Sequence, residues 1–201
     1  MRHWFLSVLA VLTCGFFVSA STTAAQPQQP LVIKALAEKK VLQLPDGPLF
    51  WRIENSPTLA QTQAAAGLWG LAAESGGRVW LFRLGAASGS SAGGSKVAEV
   101  GPLPRVVAPE YLLRINEATG PAGSITPVHT HPGSEAFYVL TGEQCIRTAQ
   151  GVLRVGVGRP ETGHGVDTPM QVSSCGSTDL RALVMFVVDA TRPFSSPAIL
   201  P

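Results

Sequence analysis

The second half of the chain reads as a series of short β-prone segments separated by turns, and this pattern limits the fold most. The segments are 111–115, 128–131, 135–141, 144–148, 151–157, 170–173 and 180–189, with Gly, Pro and Ser between them. The stretch 183–188 is apolar throughout, as in a strand buried on both faces. Because no long helical pattern interrupts the series, we expect an all-β sandwich or barrel.

The first half predicts further strands and one short helix. The strands are expected at 41–44, 49–53 and 79–84. Ser56 is a candidate helix cap, Pro57 suits the first helical position, and Gly67 can end a helix over 58–66. Residues 85–95 are rich in Gly and Ser, which predicts an exposed loop. They lack the Gly-Lys-Ser/Thr ending of a phosphate-binding loop.

The N-terminus has the layout of a secretory signal peptide. Arg2 and His3 precede an apolar run over 4–18, and small residues follow near positions 20 and 25. Residues 1–25 are therefore expected to be cleaved after about residue 20 or 25, giving a periplasmic or secreted protein without a stable membrane span. The alternative is an uncleaved anchor, since the run approaches the minimum length of a membrane span.

Cleavage would leave two of the three cysteines, because Cys14 lies in the leader. Cys145 and Cys175 are then a candidate disulfide in an exported protein. The alternative is two separate buried thiols, which behave as small apolar residues. The sequence leaves both open.

The charge of the chain argues against a nucleic-acid partner. Only 14% of the residues are charged, the formal net charge is +2, and no cluster of Lys and Arg is present. A nucleic-acid-binding surface usually carries a strongly basic patch.

Two of the four histidines lie in one short stretch, PVHTHPGSEAFYVLTG. His129 and His131 are two residues apart, so on a strand their rings share a face. The Pro-Gly turn that follows can bring Glu135 back beside them. Two imidazoles and a carboxylate suit a divalent transition metal, and a buried carboxylate is otherwise costly. We therefore predict His129, His131 and Glu135 as ligands of Fe, Mn, Zn or Ni.

The spacing Gly123-x5-His129-x-His131-x3-Glu135-x6-Gly142 is similar to the first sequence motif of the cupin superfamily. The resemblance covers roughly residues 110–190. It implies a cupin-type antiparallel β-barrel (a double-stranded β-helix or jelly roll). The one short N-terminal helix predicted over 58–66 precedes this barrel in the chain. The resemblance also implies a homodimer. We divide the mature chain into 26–109, with N-terminal strands, helix and loop, and 110–201, with the cupin motifs.

The second cupin motif is degenerate in this chain. The best register places Met170 where the family has a fourth ligand histidine, and Ser174 where it has asparagine. His164, six residues earlier, could supply the fourth ligand or could be a loop residue. Three alternatives stay open. The site is a triad of two histidines and one carboxylate, or it has four ligands including His164, or the barrel has lost tight metal binding and is an apolar pocket.

Two functions follow from this reading. The first is a metal-dependent enzyme acting on a small organic molecule, similar to a dioxygenase or an isomerase. The second is a non-catalytic cupin that binds or senses a small ligand with weak or no metal. No general acid or base beyond the ligands is recognisable, and the fold alone does not separate the two.

Overall fold

The computed structural model describes residues 29–89 and 93–200. The predicted signal peptide, residues 1–25, and residues 90–92 of the Gly/Ser-rich segment lie outside these ranges. The elements are β1 (Val32–Val41), β2 (Phe50–Ser56), α1 (Leu59–Ala65), β3 (Gly70–Ser75), β4 (Arg78–Gly85), β5 (Ser95–Val100), β6 (Tyr111–Gly120), β7 (His129–Thr130), β8 (Gly133–Thr141), β9 (Glu143–Thr148), β10 (Gly151–Gly156), β11 (Pro160–Thr162), β12 (Gln171–Ser174), β13 (Leu180–Asp189) and β14 (Ser196–Pro197).

The expected all-β architecture is confirmed. A five-stranded sheet has the order β1-β6-β13-β8-β11, a three-stranded sheet has the order β10-β9-β12, and a four-stranded sheet has the order β3-β4-β2-β5. All strand pairs within these sheets are antiparallel. Isolated bridges tie the five-stranded and three-stranded sheets together at their edges, with Ile125 joined to both Pro30 and Ser173, and Val139 joined to Val157.

Two apolar cores lie on the two faces of the five-stranded sheet. One core joins its outer face to the four-stranded sheet, and the other fills the barrel between it and the three-stranded sheet. Strand β13 contributes to both. Its outer residues are Leu183, Met185 and Val187, and its inner residues are Ala182, Val184, Phe186 and Val188. This alternation explains why the segment is apolar throughout, and it confirms the predicted strand buried on both faces.

The N-terminal strands support the barrel from outside. Tyr138 of β8 points away from the barrel interior, and its ring meets Trp80 of β4 edge-on at 6.2 Å. β1 pairs along its length with β6 and so belongs to the five-stranded sheet. The predicted boundary near residue 110 therefore runs between strands of one sheet.

The N-cap of helix α1 lies two residues after the predicted cap. Thr58, and not Ser56, is the N-cap, and its side chain accepts a hydrogen bond from the Gln61 backbone N–H. Ser56 instead ends β2, and Pro57 stands before the cap. Gly67 has φ of 66°, the left-handed conformation expected after a helix end. Within residues 29–89 and 93–200, no helix is long and apolar enough to cross a membrane.

Replacing Thr58 by alanine should lower the free energy of unfolding by about 1 kcal/mol, because the helix would lose its side-chain cap. Ser56→Ala is the matched control and should have a smaller effect. Urea unfolding of both variants measures the difference. An equal loss in the two variants would contradict the assignment of the cap.

Candidate metal and ligand site in the barrel cavity

The two histidines of the motif lie side by side at one end of the barrel. His129 exchanges two backbone hydrogen bonds of 2.9 Å with Met170. These bonds hold β7 beside the residue that precedes β12. The His129 and His131 ring centroids are 5.0 Å apart, and the rings are nearly perpendicular. Both rings line the same cavity. The period of a strand thus brings the two imidazoles together.

Each ring is oriented by a backbone carbonyl. His129 Nδ1 lies 2.9 Å from the Pro127 oxygen, and His131 Nδ1 lies 2.6 Å from the Phe194 oxygen. A carbonyl oxygen only accepts, so each Nδ1 is the donor. In the neutral ring this leaves the lone pair of Nε2 free, the usual arrangement of a metal-binding histidine.

His131 is buried between two aromatic rings. Its centroid lies 4.8 Å from that of Phe186 and 4.7 Å from that of Phe194. Loss of solvent lowers the pKa of His131 to about 4, and the nearby His129 and Arg114 act in the same direction, while the bond to the Phe194 carbonyl opposes them. The ring is therefore neutral at physiological pH, as a ligand must be.

Glu135 faces the interior from β8. It is 2% exposed, and its Oε1 has no hydrogen-bond partner. Loss of solvent raises the pKa of its carboxyl group to about 8. Across the sheet, Glu135 pairs with Phe186 of β13, which pairs in turn with Arg114 of β6, so the three side chains form one row. A buried carboxyl oxygen without a partner is expensive, and such a group usually has a cation or hydrogen-bond donor to satisfy it.

The cavity that contains these residues has a volume of about 470 Å³. This is within the usual range for pockets that hold small molecules. Its lining residues are Ile33, Arg114, Asn116, Ala118, Thr126, Pro127, Val128, His129, His131, Glu135, Phe137, Gln144, Val172, Val184, Phe186, Phe194, Ser195 and Pro197. The wall is mainly apolar, with a few polar groups that point inward.

The predicted ligands share the cavity without meeting at a single point. In residues 29–89 and 93–200, no group of three or more His, Cys, Asp or Glu side chains is close enough together to hold a metal ion. The donor set nevertheless fits a metal in its chemistry. It provides two imidazoles with Nδ1 already bonded to carbonyls and one carboxylate oxygen without a partner.

His164 is not among the residues that line this cavity. It follows β11, and the preceding Gly163 donates its backbone N–H to the Glu135 carbonyl at 2.9 Å. His164 is partly buried, its Nε2 is buried without a partner, and burial lowers the pKa of its ring. Its backbone therefore lies near Glu135, but the structure does not bring its ring to the cavity wall beside His129 and His131.

Met170 belongs to the apolar core of the barrel. It is 1% exposed and packs with the inner residues of the two facing sheets. Although its backbone is bonded to His129, its side chain does not line the cavity. Met170 thus fills space at the position where the cupin motif would place a histidine.

Several polar and aromatic cavity residues were not predicted from the sequence, among them Arg114, Asn116, Gln144 and Phe194. Arg114 and Asn116 come from alternate positions of β6, Gln144 begins the inner face of β9, and Phe194 comes from the segment after β13. The alternation of β6 gave a partial signal, because its polar residues Arg114 and Asn116 share a face. Phe194 lies in a segment without strand periodicity and gave none.

Comparisons with known proteins give partial likenesses to solved structures. No family model and no curated protein matches the chain. The DMSP lyase DddQ from Ruegeria pomeroyi is 24% identical, with 43% of each chain covered and a TM-score of 0.38. A cupin-like protein from Thermotoga maritima is 11% identical, and the match covers 43% of this chain and 64% of that one with a TM-score of 0.39. The polyketide cyclase RemF from Streptomyces resistomycificus is 23% identical, and the match covers 44% of this chain and 62% of that one with a TM-score of 0.36.

These matches cover less than half of the lyase and less than two thirds of the other two proteins. With such low TM-scores, the fold assignment stands on this chain's own strand order, register and inward-facing residues. Two facing antiparallel sheets, closed at their edges around His129, His131 and Glu135, form a β-barrel of the cupin type.

Proposed function

We propose that this exported cupin-type protein holds a divalent transition metal at His129, His131 and Glu135, and takes a small organic molecule in the rest of the cavity. The observation that carries the proposal is the buried, partnerless Oε1 of Glu135, in one cavity with two imidazoles whose Nδ1 atoms are already engaged. Fe, Mn, Zn and Ni all accept this donor set.

Bound there, the metal would act as a Lewis acid and would orient a substrate, as in a metal-dependent dioxygenase or isomerase. The chain's own residues orient and shield the site. The carbonyls of Pro127 and Phe194 fix the two rings, and Phe186 and Phe194 cover His131 and exclude water from it. Since His164 lies outside the cavity wall, we propose the three-ligand form of the site, which leaves positions open for a small molecule.

Metal analysis of protein purified without chelators tests this proposal. Wild type should hold about one transition metal ion per chain, and His129→Ala and Glu135→Gln should each lose most of it, because each removes one of three ligands. His164→Ala is the matched control, since it removes a nearby histidine outside the cavity, and it should retain the metal. Wild type holding no more metal than His129→Ala would overturn the proposal.

The second candidate is a metal-free ligand-binding cupin. It is favoured by one observation: the three donors do not converge in the described parts of the chain. Here wild type would hold no metal above the His129→Ala level, yet small molecules would still raise its melting temperature. Metal content and ligand-induced stabilisation together separate the two functions.

Export is proposed from the leader-like N-terminus and gains support from the paired cysteines. Cys145 and Cys175 form a disulfide between β9 and the turn after β12. Disulfides persist mainly in oxidising compartments such as the bacterial periplasm. The homodimer stays a prediction.

A further inference from the structure

The barrel cavity has polar groups at two levels along its length. One level is marked by His129, whose backbone pairs with Met170, and the other by Gln144, whose backbone pairs with Ser174. Met170 and Ser174 are four residues apart along the β12 region, which corresponds to about 13 Å of extended chain. Apolar side chains such as Val172, Val184 and Phe137 line the space between. A ligand that fills this cavity is therefore elongated, with a polar group for each level.

Gln144 brings a buried side-chain amide to the wall of the cavity. Its side chain is 0% exposed and lines the cavity, and neither Oε1 nor Nε2 makes a hydrogen bond within the described residues. An amide buried in this way loses the hydrogen bonds it makes to water in the unfolded chain. A ligand group that both donates and accepts hydrogen bonds, such as a hydroxyl or an amide, would satisfy both ends.

Arg114 gives the level of the cavity marked by His129 a positive charge. It is the only Lys or Arg among the described residues that line the cavity. Its guanidinium lies 4.3 Å from the centre of the Phe194 ring, and its Nε donates to Asn116 Oδ1 at 2.9 Å. The nearest anion is Glu38 on β1, at 3.4 Å from Nη1, and its side chain is 55% exposed. Because solvent weakens that pair, the guanidinium remains available to an anion inside the cavity.

We infer that the cavity recognises a small amphipathic organic anion, with a carboxylate at Arg114, an apolar middle, and a terminal hydroxyl or amide at Gln144. This inference rests on the proposed function and adds the class of ligand. Planar carboxylates are well matched to the guanidinium fork of arginine. The terminal donor–acceptor group answers the two unpaired ends of the Gln144 amide.

Three six-carbon probes separate the contributions of the two ends: 6-hydroxyhexanoate, hexanoate and 1,6-hexanediol. Calorimetry on wild type should show 6-hydroxyhexanoate binding about tenfold more tightly than either of the others, because each of them lacks one polar contact. Equal affinities for the three probes, or no binding of any of them at millimolar concentrations, would overturn the inference.

Two variants assign the two ends. Arg114→Met should remove the preference for 6-hydroxyhexanoate over the diol, and Arg114→Lys should keep part of it, since the charge remains. Gln144→Leu should remove the preference for 6-hydroxyhexanoate over hexanoate while leaving the carboxylate preference unchanged. Melting temperatures confirm that each variant is folded. A preference that survives in the corresponding folded variant would contradict the assignment.

Metal content of the same preparations keeps this test distinct from the metal proposal. Neither Arg114 nor Gln144 is a proposed ligand, so their variants should hold as much metal as wild type. Both proposals are supported if His129→Ala loses its metal and wild type binds 6-hydroxyhexanoate more tightly than hexanoate and 1,6-hexanediol. Metal-free wild type that still discriminates among the probes overturns only the metal site, and metal-loaded wild type that fails to discriminate overturns only the ligand class.

Discussion

Replacing Gly133 by alanine is expected to destabilise the protein by about 3 kcal/mol or more, or to prevent it from folding. A Cβ built on Gly133 would lie 2.1 Å from the Val187 carbonyl oxygen and 2.5 Å from Val188 Cα. Both atoms are backbone atoms of β13, the strand shared by the two cores, so the clash is not relieved by turning a side chain. Gly133 thus allows β8 to begin directly against β13.

Gly156→Ala is the matched control for this prediction. Gly156 ends β10, and a Cβ there has no heavy atom within 4 Å. This variant should change the free energy of unfolding by less than about 1 kcal/mol. Soluble yield and urea unfolding of the two variants test the difference. A Gly133→Ala protein as stable as Gly156→Ala would show that β8 and β13 do not approach so closely.

The second large effect is expected from the disulfide between Cys145 and Cys175, which encloses a separation of 30 residues. Replacing both cysteines by serine should lower the free energy of unfolding by about 3.5 kcal/mol, because the unfolded chain regains the entropy of that loop. Denaturant unfolding of the oxidised wild type and the double variant measures the change.

A thiol count checks the bond itself. Unfolded, unreduced protein from the periplasm should show no free thiol at Cys145 or Cys175, and reduced wild type should be as unstable as the double serine variant. Two free thiols would contradict the disulfide. Equal stability of the oxidised and reduced wild type would contradict its contribution to folding.

The strands that were predicted well are those whose sequence pattern matches their burial. β13 was predicted with its observed bounds, because its residues 182–188 lie between the two cores and are apolar at every position. β3 and β5 were missed, and the strand expected at 41–44 is wrong, because β1 runs over Val32–Val41. β11 and β14 are too short to show any periodicity. The cap of α1 was misplaced because Ser56 and Thr58 are both good capping residues, and the end of β2 decides between them.

The site was predicted as far as local spacing determines it. His129, His131 and Glu135 lie within seven residues of one another, so strand period and one turn suffice to bring them to one cavity. Gln144, Arg114 and Phe194 reach the cavity from three other segments through the tertiary fold, which sequence spacing does not reveal. The position of His164 depends on how the segment after β11 packs against Glu135, and the metal content of His164→Ala decides between the three-ligand and the four-ligand form of the site.

The most direct test of the central claim is a crystal structure of the protein as isolated, with anomalous scattering recorded at the Fe, Mn, Zn and Ni edges. The account predicts one strong peak in the barrel cavity, about 2 Å from Nε2 of His129 and His131 and from an oxygen of Glu135. An empty cavity at all four edges, or a peak that none of these three side chains contacts, would contradict it.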